Sequence, residues 1–290
     1  MIPKLFVRSK GVPQDDVEHI VKVIKECYGT LQPTNLEAVE VNIFQRSSEA
    51  LAFLSSQAQA AGVKSSGYDE EFYAYHHAWT GLPSIIISIE KLSTLTSILV
   101  DACIRHEVAH TVLHGELRYY VIPLPPAYQK LKRCLKLPEE YLLDLTYLTS
   151  IAVKDYEATK LLYEHNFKED QLKYAEHLLD EGLDISLWKI VEHNPSAKAL
   201  FLTANLKVPF CIKPLLNQKN IHLRKKLEDC LYPLHEYQQK MIEIVDEATQ
   251  HFSEDTYHNI QVVAENHSQK ILQKIFNINL YKSSGQKQVG

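Results

Sequence analysis

The chain has 290 residues, 45% of them hydrophobic and 23% charged, with a formal net charge of −5. That balance excludes a largely disordered chain, a collagen and a disulfide-stapled miniprotein, and the length allows one large domain or two of ordinary size. A mildly acidic chain is also poorly suited to non-specific nucleic-acid binding, which relies on Lys and Arg neutralising phosphates; its basic runs at 130–133 and 224–226 are short.

Val17, Ile20, Val21 and Ile24 stand at helical spacing, so residues 15–28 are expected as an amphipathic helix that Gly29 stops. Alternation of Val39, Val41 and Ile43 predicts a strand over 36–44. A second helix is expected over 47–61, closed by Gly62. The aromatic stretch 72–79 reads as a strand; His76 and His77, which precede the next strand, either face the site or, by preference, form a polar loop pair. The β-branched run 83–89 reads as a buried strand, free to pair with an extended substrate along its edge. A long helix follows, capped by Ser93 or Thr94 and ended by Gly115. Residues 122–126 form a stiff proline connector. From Ala127 onward the periodicity is helical, with breaks expected at Pro138, Asn166, Gly182, Pro195, Pro209, Pro214 and Pro233. The polar tail 282–290 is expected to fray. The fold class is therefore α+β and predominantly helical, a small α/β core followed by a helical carboxy-terminal region.

Five scattered cysteines without a CxxC pair argue against a disulfide framework and a Cys-built zinc site, and favour a reducing, cytoplasmic compartment. The first residues lack an apolar core suited to a signal peptide, and no apolar run reaches the ~18 residues of a membrane span.

Residues 105–115 read Arg-His-Glu-Val-Ala-His-Thr-Val-Leu-His-Gly. His106, Glu107 and His110 make an H-E-x-x-H motif. Leu95, Leu99, Ala102, Cys103, His106, Ala109, His110 and Leu113 fall on one helical stripe, so the two histidines lie one turn apart and can converge on one ion. Glu107 lies about 100° round the helix, placed for a general base rather than a ligand. Val100, Ile104, Val108 and Val112 make the other sides apolar, and a buried carboxylate there is costly without a partner. His114 lies two turns, about 10.8 Å, beyond His106, too far to share the ion. It reads as an outer-sphere or substrate-facing residue, or as a surface histidine favoured by the helix dipole. Cys103 reads as a small core residue. Tyr119 and Tyr120 could offer a phenol to an oxyanion or simply pack.

The strand 83–89, the HEVAH helix and the later segment Asp155-Tyr156-Glu157-Ala158-Thr159 together resemble the minimal core of the gluzincin-type zincin metallopeptidases. They are similar to ImmA/IrrE-type peptidases and archaeal HExxH proteins. The resemblance covers residues 15–165. It implies a third ligand from an E-x-x-A-[DN] helix. Matching Ala158 to the family's alanine puts Asp155 in the ligand slot, with Asp in place of Glu and Thr159 in place of the usual Asp or Asn. The helical face agrees, since Ile151, Asp155, Ala158 and Leu162 share an apolar side. Glu157 falls with Lys154, Lys160 and Glu164 on a solvated side and is held in reserve as ligand. The domains expected are 1–165, zincin-like, and 166–290, helical. The function implied is a zinc-dependent peptidase acting on peptide or protein substrates, without a membrane or nucleic-acid partner. The alternative is a helical interaction or regulatory protein that keeps a structural or inactive zincin site.

Overall fold

Ile85, Ile86 and Ile87 are all fully buried, which a strand permits only when both of its faces are covered. In the computed structural model, which describes residues 2–32, 34–63, 72–216 and 220–278, this run lies inside a four-stranded mixed sheet of a predominantly helical α+β fold. The first elements are β1 (Lys4–Lys10), α1 (Gln14–Thr30), β2 (Ala38–Phe44), α2 (Ser47–Ala60), β3 (Ala74–His77), β4 (Ser84–Ser88), α3 (Ile89–Leu92) and α4 (Ser97–His114). After a 3-10 turn, Leu117–Tyr120, come α5 (Pro126–Leu135), α6 (Glu139–Glu164), α7 (Lys168–Glu181), α8 (Ile185–Val191), α9 (Pro195–Asn205), α10 (Lys207–Ile212), α11 (Ile221–Leu231), α12 (Glu236–Thr249) and α13 (Thr256–His267). The tail 282–290 lies outside the described residues. Among the described residues no helix is long and apolar enough to cross a membrane.

Contacts divide the chain into two units. One comprises Met1–Ile122, Lys154–Glu181 and Pro214–Ile221; the other comprises Pro123–Val153, Gly182–Lys213 and His222–Gly290. A single cut after residue 165 is therefore replaced by an interleaved division. The boundary falls inside α6, a helix of 26 residues, between Val153 and Lys154.

In the first unit the sheet runs β1-β2-β4-β3, with β3 antiparallel to β4 and the other pairs parallel. Alternation sorts the strand residues by face. Val39, Val41, Ile43, Ile85 and Ile87 join α1 and α4 in one core, while Ile86 joins Ala50, Leu54 and Ala58 of α2 in another. Tyr28 of α1 donates to the Thr111 hydroxyl of α4 at 2.5 Å, since Thr111 spends its own hydrogen on the Val108 carbonyl.

Four expectations change. β1 was not foreseen, because most of its side chains are exposed and it carries no buried alternation. β4 offers no edge to a substrate, because β2 and β3 flank it on both sides. The long helix, α4, starts later than expected, with Thr96 as the residue before it, and the short α3 precedes Ser93. Ser93 and Thr94 donate instead to the carbonyls of Glu90 and Lys91, finishing the preceding turn. Finally, Pro209 lies within α10 rather than breaking it, whereas Pro195 does stand at a break and starts α9 after the end of α8, as suits a residue with no N–H to donate.

The second unit is helical. Its interior holds one polar knot: the Tyr128 hydroxyl lies 2.7 Å from Thr149 Oγ1 and 2.9 Å from His267 Nδ1, and His267 Nε2 lies 3.3 Å from Thr203 Oγ1. Burial pushes the His267 pKa down to about 3. The folded ring is therefore neutral, and unfolding lets it take a proton below the ordinary value of 6.5. Its contribution to stability is complete above pH 6.5 and is lost as the pH falls toward 3. Urea unfolding of a His267→Asn variant, followed by the fluorescence of Trp188, should show a smaller loss of midpoint between pH 7.5 and 4.5 than wild type.

The end of α4 demands glycine by close packing. A Cβ at Gly115 would overlap the Thr111 carbonyl oxygen and press on Leu36 and Pro83 at 3.0 Å each. Gly115→Ala should cost about 1–3 kcal/mol, read as a lowered melting temperature.

Candidate metal centre

α4 is enclosed: Ala102, Cys103, Ile104, Val108 and Ala109 are all buried. Polar residues on such a helix must find partners inside the protein. His106 and His110 are each 3% exposed, and His114 is fully buried. Their partners come from α6, α7 and β3.

His106 Nε2 and His110 Nε2 face each other at 3.1 Å. Asp155 Oδ1 of α6 lies 3.2 Å from His110 Nε2 and 3.8 Å from His106 Nε2. Donors around a tetrahedral zinc ion with bonds of about 2.0–2.1 Å are about 3.3 Å apart. The three separations found here define a triangle whose corners are all about 2.0 Å from one point. These residues therefore fit a divalent ion of that size, held by two imidazoles and a carboxylate. Among the described residues, His106, His110 and Asp155 form one donor group of metal-binding geometry, and His76, Glu107 and His110 form another.

The chain matches no protein-family model, no curated protein and no solved structure.

Glu107 lies beside the triangle and does not belong to it. Its Oε2 accepts a 2.7 Å hydrogen bond from Nδ1 of His76. Burial raises the Glu107 pKa, which suits a group that must take up and release a proton near neutrality. Burial alone would lower His106, but the hydrogen bond and charge of Asp155 outweigh it and the net shift is upward. For Asp155 burial works to raise the pKa, yet the imidazoles of His106 and His110 beside it outweigh burial and hold it well below the usual carboxylate range. Burial, with His76 nearby, brings His110 down to about 4.

His114 joins an outer chain. Its Nδ1 is 3.4 Å from His110 Nδ1, and its Nε2 is 2.8 Å from Glu157 Oε2. Glu157 as a carboxylate only accepts, so His114 carries its hydrogen on Nε2 and accepts at Nδ1. His110 must then carry its hydrogen on Nδ1, which leaves its Nε2 lone pair facing the triangle. The Gln171 amide of α7, fully buried, acts on His106, and the Tyr174 ring lies 5.1 Å from the His106 ring. Arg105, on the outer side of α4, clamps α7 in place through Asp170 at 2.6 Å.

Of the residues singled out in the sequence, His106, His110 and Asp155 meet at one point, Glu107 lies beside it, and His114 and Glu157 pair behind it. The solvated side expected for Glu157 and Lys154 is corrected. Lys160 and Glu164 are exposed there, but the turn Leu117–Tyr120 covers the rest. Lys154 is 7% exposed, donates to the Tyr119 carbonyl at 2.6 Å and sits over the Tyr120 ring at 4.8 Å. Burial lowers its pKa to about 8. Tyr119 packs edge-on against His114 at 5.2 Å. Cys103 lies in the core, where burial raises its thiol to about 12. His76 is no loop residue. It sits in β3 opposite Ile85, and directly paired residues project from the same face of a sheet. Ile85 packs with α1 and α4, so His76 faces α4 as well. Its neighbour His77 takes the other face and stacks on Trp79 at 4.3 Å. The usable signal was the strand period across His76-His77, which sends one imidazole to each side.

Zinc titration monitored by chelator competition should give one ion per chain for wild type and none for Asp155→Ala. His114→Ala should keep one ion with affinity about 10- to 100-fold weaker. Because the His106 pKa lies above 6.5, zinc must displace a proton there. Affinity should therefore fall as the pH drops, read by repeating the chelator competition across pH.

Proposed function

We propose that this protein is a zinc-dependent hydrolase of the HExxH type, acting on peptide bonds. The observation that carries the reading is the pairing of the His106–His110–Asp155 triangle with a separate, largely enclosed carboxylate, Glu107, held beside it. A metal site built for structure alone needs no unligated carboxylate at its side, and burying one is costly. The resemblance of HEVAH and DYEAT to the zincin motifs supports the same reading.

His106, His110 and Asp155 would hold the ion, and the two histidines reach it through Nε2. Three protein ligands leave a fourth position open, as catalytic zinc requires. When bound there, zinc supplies Lewis-acid polarisation of a carbonyl and brings the pKa of water down to about 7. Glu107 takes the proton from the attacking water on its carboxylate and delivers it to the amine that leaves as the C–N bond breaks. A base whose pKa burial has raised is suited to both halves of that transfer. Asp155 and Glu107 bring two negative charges to the site, which favours a dication over a proton. His114 and Glu157 hold His110 in the tautomer that presents Nε2. All five cysteines are free thiols, which supports a cytoplasmic setting for the reaction.

The test is Glu107→Gln, which preserves size but removes the base. Zinc stoichiometry and melting temperature should stay near wild type, while hydrolysis of a diverse peptide library falls by about 10²- to 10⁴-fold. If zinc-loaded wild type cleaves nothing, and Glu107→Gln behaves identically in every assay, the reading fails and the centre is structural.

A further inference from the structure

Two donor groups share His110, and the ring geometry separates them. The His76 and His110 rings are stacked, with centroids 4.2 Å apart and planes inclined by 7°. A metal ligated by an imidazole lies in the ring plane, about 2.0–2.1 Å from the nitrogen. Stacked rings in van der Waals contact have planes roughly 3.5–4 Å apart. An ion in the plane of His110 is therefore far out of the plane of His76, and one ion cannot use both in-plane lone pairs. His76 is left as a largely enclosed imidazole against the site with a different task.

Its contact shows that task. Nδ1 lies 2.7 Å from Glu107 Oε2, and the two side chains are only 15% and 13% exposed. A carboxylate has no hydrogen to give, so Nδ1 is the donor, and a hydrogen bond to an ionised acceptor out of water is among the stronger kinds. The donor also has little freedom. His76 is fixed by its β3 pairing with Ile85 and by the His110 ring beneath it.

We propose that His76 is a positioning residue for Glu107: the edge of the sheet aims the carboxylate by holding one of its oxygens. This rests on the reading of Glu107 as the base. The contact itself can be tested without that reading.

Two variants distinguish the hydrogen bond from the bulk of the ring. His76→Leu fills the space without a donor. His76→Asn offers an amide N–H near the position of Nδ1. Circular dichroism confirms that each is folded, and Asn keeps the test valid if Leu is not. Both should bind one zinc per chain with affinity within about threefold of wild type, less than an outer-sphere loss. Peptide turnover should fall about 10- to 100-fold in His76→Leu, in kcat rather than KM, and recover most of that in His76→Asn. Nitrogen-edited NMR gives a readout independent of turnover. The wild-type protein should show a slowly exchanging Nδ1–H signal from His76, and Glu107→Leu should remove it. A loss of zinc affinity beyond about 100-fold in both His76 variants would make His76 a ligand and overturn the proposal. Equal turnover in the Leu and Asn variants, or an Nδ1–H signal indifferent to Glu107→Leu, would overturn it too. A protein that hydrolyses no peptide yet keeps the Glu107-dependent signal refutes the hydrolase reading and supports the contact.

Discussion

The approach of Asp155 Oδ1 to within 3.2 Å of His110 Nε2 is the contact on which the first unit depends. A carboxylate and two imidazoles cannot be buried among Ile104, Val108 and Ala109 unless each satisfies the others. Asp155 compensates the charge that His106 would carry, and the histidines compensate Asp155. The shift of His106 upward and of Asp155 downward are two views of one interaction. An aspartate reaches one methylene less than a glutamate, so α6 must come close to α4. Fully buried alanines at 109 and 158, both in the same core, leave room for that approach.

Much of this was legible in the chain. The H-E-x-x-H spacing and its apolar stripe put His106 and His110 on one face, and the Ile151–Asp155–Ala158–Leu162 face singled out Asp155 over Glu157. The first inference rests on helical period, a local property; the second rests on the resemblance of the DYEAT segment to the zincin ligand helix, with which the helical face agrees. What the sequence hid depends on which elements cover which faces. Lys154 reads as solvated because lysine nearly always is, and only the turn Leu117–Tyr120 makes it buried. Glu157 looked like a surface partner for lysines until His114 met it. β1 has no hydrophobic signature because it pairs through its backbone at the end of the sheet order. The interleaving of the two units is equally invisible, since α6 keeps one helical pattern on both sides of the boundary.

Direction is the property that links the buried groups. Glu157 can only accept, and this fixes a hydrogen on His114 Nε2, then one on His110 Nδ1, and so a bare lone pair on His110 Nε2. Three residues spread over 48 positions of chain thus decide the orientation of one lone pair. On the opposite side His76 applies the same logic to Glu107 in a single step. The site is organised by acceptors at its periphery, and His110 is left with its Nε2 lone pair toward the centre.

Strand β3 carries two imidazoles in succession, and the choice between them is made by alignment with β4. His76 lies opposite Ile85 and His77 opposite Ser84. A slip of one residue would exchange their faces, because the side-chain period of a strand is two. It would bring His77 toward α4 and take His76 to the side of Trp79, so the chemical identity of the group at the site would survive the error while its anchoring would not. The alignment is held by the short link between the strands. There Gly81 adopts φ +83°, a conformation that disfavours any other residue, and its N–H bonds back to the Ala78 carbonyl at 3.0 Å. One glycine in a surface turn thereby selects which histidine faces the helix and which lies against the indole.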